Sequence, residues 1–366
     1  MTAASTVRVL DPDLTAVERL THRGELARVL DALPWLDGPV GARAAVRLRW
    51  KPGSSVRLGA VVPTAAGPVA VLVAAFAPGS TGKADKIVAQ AARGGAPVHR
   101  DGEVVAVPAW TDPRLHRLLP RGAGALSYNP ARRWVGRTGS GVLKVHAQAP
   151  PPGVAALIGA PPAALAEHLV AGRVDRDGRR VRSPWMPGAP PRPGDGDAVA
   201  AALAALHAAP PPAGLPVLDA GVAVRAAHAA ACAVVDVLPA ERARVLRLLT
   251  VLGECAHRWP EPTVLVHGDF SPDQVLVHDG RAVLLDLDRA ATGPADWDWA
   301  QWTVSQIAEG GLELPAPAPV HPLSALTAAL LRAPEPFRRL RPDWPGGVAA
   351  VLDHADAAAT QLRSRS

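Results

Sequence analysis

Residues 264–300 read VLVHGDFSPDQVLVHDGRAVLLDLDRAATGPADWDWA. An apolar run, Val264–Val266, delivers His267, Gly268 and Asp269 into a loop. A second run, Val275–Val277, leads through His278-Asp279-Gly280 to a third, Val283–Leu285, which ends at Asp286. Short apolar runs broken by an Asp-Gly turn predict paired strands. Such pairing puts Asp269 and Asp286 at the mouth of one hairpin, with the amide of Gln274 between them in sequence. One carboxylate to orient a hydroxyl, plus an amide and a second carboxylate to hold a divalent cation, is the set that phosphoryl transfer from a nucleotide requires. The alternative is a surface hairpin with solvated acids. The spacing, the apolar brackets and Asp296-Trp297-Asp298 together favour catalysis.

Outward from this stretch, composition bounds the rest. The 366 residues are 48% hydrophobic, enough for a sizeable core, and the formal charge is +6. The arginines are scattered, no basic block alternates with stacking aromatics, and the chain has one tyrosine. That pattern argues against nucleic-acid binding, while the positive field suits an anionic substrate such as a nucleotide. Cys232 and Cys255 lack metal or redox spacing, so buried free thiols are expected. The start, MTAASTVRVLDPDL, has no cationic segment ahead of an apolar one, so no signal peptide is expected. No run of about 20 apolar residues lacks charge or proline, which argues against a membrane span. A cytoplasmic protein with access to ATP is the simplest expectation.

Along the chain, a helix is predicted over 14–35, then strands at 45–50, 56–62 and 69–76. A helix from Lys83 to about Arg93 and a hairpin at Asp101-Gly102 follow. The same grammar recurs in strands 125–128, 133–137 and 142–147, an approximate duplication of a three-strand unit or a chance likeness of two meanders. With the third strands aligned, Lys144 stands opposite Val73. A lysine between Leu143 and Val145 is costly to bury unless its ammonium meets an anion, which makes the second copy the nucleotide lobe and the first a cap. Thr138–Gly141 is the distal turn. A helix is expected to end near Gly172, followed by a hairpin at Asp177-Gly178 and a linker from Pro187 to Gly196. Helices are expected at 198–208, capped by Asp197, and at 221–236, 240–258, 297–309, 321–332 and 347–363. His207 reads as a packed helix histidine, and Asp298 as a holder of the loop by hydrogen bonds.

HGDFSPDQ, LLDLD and DWDWA resemble, in order and spacing, the signature of the aminoglycoside phosphotransferase and choline kinase group of small-molecule kinases. One departure is Gln274, where that signature has asparagine. The resemblance implies an α+β, protein-kinase-like bilobal fold with a β-rich N-lobe, a helical C-lobe and, in this chain, an N-terminal α/β cap. The domains would be 1–120 (cap), 121–187 (nucleotide lobe) and 188–366 (helical lobe with the catalytic and metal loops). It further implies that Asp269 accepts or orients the acceptor hydroxyl, with His267 ordering the loop. Gln274 and Asp286 would hold Mg2+, with Asp288 assisting, and Lys144 would grip the phosphates of ATP or GTP. Glu167 is the candidate partner of Lys144; the Tyr128–Arg132 loop would cover the phosphates, and the hinge near Trp185 and Met186 would meet the base.

The implied activity is transfer of the γ-phosphoryl group to a hydroxyl of an antibiotic, sugar or related metabolite. Residues 301–366 show no acidic excess, which tilts the acceptor toward a neutral or weakly charged molecule. A nucleotide-binding pseudokinase and a metal-dependent hydrolase are the alternatives.

Overall fold

A computed structural model describes residues 7–38, 41–121, 124–139, 141–311 and 313–364. Residues 1–6 of the start read for a signal peptide, and Ser140 of the distal turn, lie outside these. The chain divides into two compact units. One takes Met1–Ala149, Asp175–Arg182 and Phe337–Trp344; the other takes Pro150–Val174, Ser183–Pro336 and Pro345–Ser366. The first is rich in strands and the second in helices, which makes the fold α+β.

In the first unit, β1 (Ala45–Lys51), β2 (Ser55–Val62) and β3 (Val69–Phe76) form an antiparallel meander. A helix, Gly82–Arg93, follows, then β4 (His99–Asp101) and β5 (Val104–Pro108), giving the order β1-β2-β3-β5-β4. Period-2 alternation sets the faces: Val46 and Leu48 are buried while Arg49 is exposed. A second meander follows, β6 (Gly124–Asn129), β7 (Arg133–Thr138) and β8 (Gly141–His146), and the strand Arg180–Pro184 lies next to β8. The expected duplication therefore extends two strands further than three, with Arg173–Val174 and Arg180–Pro184 standing where β4 and β5 stand in the first sheet. In each sheet the strand beside the third follows an Asp-Gly turn, Asp101-Gly102 or Asp177-Gly178.

The two sheets share one core. Leu72, Ala74 and Phe76 of β3 join Tyr128, Trp134, Leu143 and Val145 of the second sheet in a single apolar cluster. The boundary expected near residue 120 thus falls inside this unit. Gly59 permits the approach, because a Cβ there would lie 2.6 Å from the Tyr128 carbonyl oxygen. No larger residue fits without moving the β6 backbone.

In the second unit the long helices are Gly196–Ala208, Ala220–Val237, Arg242–Cys255, Trp297–Glu309, Pro322–Arg332 and Trp344–Ser364. Val264–Val266 pairs with Ala291–Gly293, while Val275–His278 pairs with Arg281–Leu284. The first apolar run of the motif thus takes a later strand as its partner. The Asp279-Gly280 turn has both φ angles positive, the geometry of a two-residue hairpin. Ala189 of the linker adds to this hairpin, exchanging backbone hydrogen bonds with Val277 at 2.8 and 3.1 Å.

Other expectations are corrected. The helix over 14–35 is two, Ala16–Thr21 and Arg23–Asp31, broken by extended backbone at His22. The helix expected to reach Gly172 stops at Gly159, before Pro161-Pro162. The residue before a proline is pushed out of the helical region, and proline has no N–H to continue the ladder. Asp197 lies inside the first turn of its helix and Asp195 precedes it, without a capping bond from its side chain. Cys255 is a buried free thiol, whereas Cys232 is free and exposed. Among the described residues one helix, Ala220–Val237, is long and apolar enough by composition to cross a membrane. Its buried stripe, Ala223, Ala227, Ala230, Ala231 and Val234, follows helical spacing and packs on Pro322–Arg332, the pattern of an amphipathic core helix.

Candidate active site

The catalytic-loop geometry starts from Asp298, which is fully buried in the first turn of Trp297–Glu309. Its Oδ2 accepts from the backbone N–H of His267 at 2.8 Å and pairs with His207 Nε2 at 3.0 Å. Its Oδ1 accepts from the N–H of Gly268 at 2.9 Å. A buried carboxylate needs such partners, and here they are two successive amides of the loop. Gly268 has φ +80°, and a Cβ there would meet the Arg289 carbonyl oxygen at 2.1 Å, so only glycine fits. Phe270 fixes the other side of Asp269: it is fully buried and stacks on Trp302 with centroids 4.8 Å apart.

His267 is bonded at both ring nitrogens. Its Nε2 lies 2.6 Å from the Leu285 carbonyl oxygen, and its Nδ1 accepts from the N–H of Asp269 at 3.4 Å. A carbonyl can only accept, which assigns the proton to Nε2. Leu285 also donates its N–H to the Gln274 carbonyl oxygen at 2.8 Å. One residue therefore ties His267, Gln274 and the neighbouring Asp286 together. Asp286 itself has φ +61° and ψ +55°, a left-handed backbone that ends the strand and starts the turn Leu287–Arg289. For a residue other than glycine this conformation costs about 1–3 kcal/mol and collects at functional sites.

Among the described residues no three His, Cys, Asp or Glu side chains cluster as a metal site. The local set is instead an amide, Gln274, with Asp286 and Asp288, all half-buried. Hard oxygen donors in small number suit Mg2+, which takes its remaining ligands from water and phosphate.

Two arginines that sequence reasoning missed meet Asp269. Arg332 Nη2 donates to Asp269 Oδ1 at 2.7 Å, while its Nε donates to Gln301 Oε1 at 2.5 Å. The Arg332 side chain is 9% exposed and that of Asp269 36%, so the carboxylate is held from within and open on its other side. Arg289 Nε lies 3.6 Å from Asp269 Oδ2. The one sequence signal for Arg332 is a lone cation closing the apolar helix PLSALTAALLR.

The remaining expected residues divide between the units. Trp185 is exposed and Met186 half-buried beside it, both in the second unit. Glu167 is exposed on a turn, not on the helix expected for it, because the double proline ends that helix early. In the first unit, Lys144 lies on β8 opposite Val135 of β7, half-buried between buried Leu143 and Val145. Arg132 is exposed at the β6–β7 turn. Tyr128 is a correction: its ring is 1% exposed, and its hydroxyl donates to Asp112 Oδ2 at 2.7 Å. Asp112 also accepts from the N–H of Ala131 at 2.7 Å, so Tyr128 braces the turn from the core and offers no surface to a ligand. Burial, and then the Asp112 carboxylate, push the Tyr128 phenol well above its ordinary pKa.

The model of the phosphotransferase enzyme family matches residues 141–341, more than half of the chain. Among solved structures, a thermostable mutant of the aminoglycoside phosphotransferase APH(4)-Ia is 18% identical, covering 65% of this chain and 94% of its own, with a TM-score of 0.47. A choline/ethanolamine kinase family protein from Mesorhizobium loti is 17% identical, covering 69% and 92%, at 0.43. LicA, in complex with AMP, is 11% identical, covering 70% and 97%, at 0.41. No curated protein matches the chain. The family match extends from β8, with Lys144, through the Asp298-clamped loop to the arginine that holds Asp269, and by it this chain belongs to the phosphotransferase enzyme family.

Proposed function

We propose that the protein transfers the γ-phosphoryl group of ATP or GTP to a hydroxyl of a neutral or weakly charged small molecule, such as a sugar or an antibiotic. The observation that carries this reading is the loop His267–Asp269, clamped by Asp298 through two backbone amides and presenting a half-open carboxylate. A hydroxyl is a poor nucleophile and the transferring group is crowded with charge, so catalysis consists of positioning and neutralisation.

Asp269 accepts the proton side of the acceptor hydroxyl and aims its oxygen. Arg332 and Arg289 fix the rotamer of Asp269. Gln274, Asp286 and Asp288 would hold Mg2+, which neutralises charge on the phosphates when bound. Lys144 takes nucleotide phosphates, Arg132 contributes from the turn, and Trp185 and Met186 are candidates for the base. The proposed nucleotide donor is consistent with a cytoplasmic setting, where ATP is at hand.

Incubation with Mg2+, γ-labelled ATP or GTP and a panel of sugars and antibiotics tests the reading. Label transferred to an acceptor by the wild type, and not by Asp269→Ala, is the expected result. Nucleotide binding without transfer to any acceptor would favour the pseudokinase, and phosphate release without nucleotide the hydrolase.

A further inference from the structure

The first unit holds a cavity of about 510 Å3. One wall is made by the helices Ala16–Thr21 and Arg23–Asp31, the other by Leu340–Trp344. A space of this size suits a small organic molecule, for which roughly 300–1,000 Å3 is usual. The second wall is firmly held. Leu340 has φ +46°, a conformation rare for a bulky side chain, and such outliers gather at ligand clamps. It is buried, its N–H donates to the Phe337 carbonyl oxygen at 2.9 Å, and its own carbonyl oxygen accepts from Arg23 Nη1 at 2.9 Å. Trp344 packs edge-on against Phe337, and Phe337 in turn against Trp50 of β1.

The charges around this cavity do not cancel. Arg8 pairs with Glu18, Arg19 with Asp101 and Arg28 with Glu25, which accounts for both acids of the lining. Arg23 gives its hydrogen bonds to neutral groups instead, the carbonyls of Leu340 and Ala44. Among the described residues the half-buried Arg341 side chain has no hydrogen-bond or ion-pair partner. His22 Nδ1 accepts from the N–H of Glu25 at 3.3 Å, so the ring proton sits on Nε2 and makes a third donor.

We propose that this cavity is a binding site for a small organic anion, its carboxylate or phosphate head taken by Arg23 and Arg341 and its apolar body laid against Pro342 and Trp344. Guanidinium forks match the paired oxygens of either head. Leu340, Pro342 and Trp344 give the same lining an apolar side, and a few placed polar groups on an apolar wall are what orient a small ligand. Every residue of the site belongs to the first unit and none to the catalytic loop. The site therefore stands whether or not Asp269 supports phosphoryl transfer.

Calorimetric titration of the full chain with naphthoate and naphthyl phosphate is the test, with naphthylmethanol as the neutral counterpart. At least one anion is expected to bind, and the alcohol to bind about tenfold more weakly or less still, as loss of a charge-assisted bond dictates. Arg341→Gln should weaken anion binding by about tenfold, and Arg341→Glu should abolish it. Arg23→Gln should weaken it as well. Because Arg23 also holds Leu340, that variant counts only if circular dichroism shows it folded, and the Arg341 variants decide otherwise. Tighter binding of the phosphate assigns a phosphate-bearing ligand, and tighter binding of the naphthoate a carboxylic acid; either order supports the site. Asp269→Ala, and saturation with AMP-PNP and Mg2+, should leave the affinity unchanged, so a dead enzyme and a missing anion site give different results. Failure of both anions to bind, an alcohol that binds as tightly as they do, folded Arg341 variants with wild-type affinity, or displacement by AMP-PNP would overturn the proposal.

Discussion

Arg332 and Asp269 lie 63 residues apart in sequence and form a 2.7 Å ion pair. The arginine is the last residue of the buried helix Pro322–Arg332, which packs on Trp297–Glu309, the helix that carries Asp298. Asp269 is thus positioned twice from one body: Asp298 sets its backbone through the two preceding amides, and Arg332 sets its side chain. A carboxylate so held is oriented before substrate arrives, and pre-organisation of this kind is where transfer to a hydroxyl gains its rate.

Arg332→Gln should therefore lower kcat by about 10- to 100-fold, the scale of a displacement near 1 Å at the reacting group, with nucleotide KM little changed. Arg332→Lys keeps the charge but not the fork, and should fall between the two. Steady-state kinetics with the acceptor found by screening checks this. A variant with wild-type kcat would show that the pair is only structural.

Asp298→Ala removes the acceptor of three hydrogen bonds from a fully buried site. Leaving its donors unpaired should cost about 3–5 kcal/mol of unfolding free energy, as for a broken buried pair, and abolish turnover. Asp298→Asn retains one oxygen and should lose less. Urea unfolding followed by circular dichroism measures both. Equal stability of the Ala variant and the wild type would remove the clamp from the account.

The parts of this site that the sequence showed are those whose chemistry is local. HGD between apolar brackets and DWDWA at a helix start each carry their meaning within a few residues, whereas the His207–Asp298 bond joins residues 91 apart and was not read. The Arg332–Asp269 contact is set by packing of distant helices, and no spacing rule reaches it. The expected helix around Glu167 failed for a legible reason, since Pro161-Pro162 was in plain view and apolar periodicity outweighed it. The pairing of Val264–Val266 with Ala291–Gly293 was hidden because Ala291-Thr292-Gly293 is too short and too weakly apolar to read as a strand. The second sheet's likeness to the first was visible as three strands because turn chemistry repeats. The last two strands of each sheet join only after a helix, Gly82–Arg93 or Pro152–Gly159, and that longer route hides the match.

Gln274 is a substitution whose consequence can be read in metal dependence. Its carbonyl oxygen is fixed by the Leu285 N–H, so the backbone is pinned and only the side chain has freedom. Gln274→Asn shortens the stem by one methylene from that fixed point. Apparent Mg2+ affinity should drop by about tenfold, the effect of displacing one oxygen ligand or its support, and Gln274→Ala should drop further. Activity titrated against Mg2+ checks both. Unchanged Mg2+ dependence in the alanine variant would exclude Gln274 as a ligand.

Tyr128 offers a spectroscopic check on the core that supports the Asn129–Arg132 turn, because it is the only tyrosine in the chain. Its phenol is raised well above 10 in the folded protein by burial and by Asp112, whereas in the unfolded chain it titrates near 10. Above that pH the unfolded chain binds fewer protons than the folded one, so stability falls as pH rises from about 10 and is fully present below it. The phenolate absorbance should therefore stay flat through pH 10 and then appear together with loss of the circular dichroism signal. Tyr128→Phe strips the hydroxyl from a buried carboxylate that keeps the Ala131 and Arg114 amides. It should cost about 1–3 kcal/mol at neutral pH, with the deficit shrinking as pH rises. A phenol that titrates near 10 in a still-folded protein would place Tyr128 at the surface and withdraw the brace from the turn.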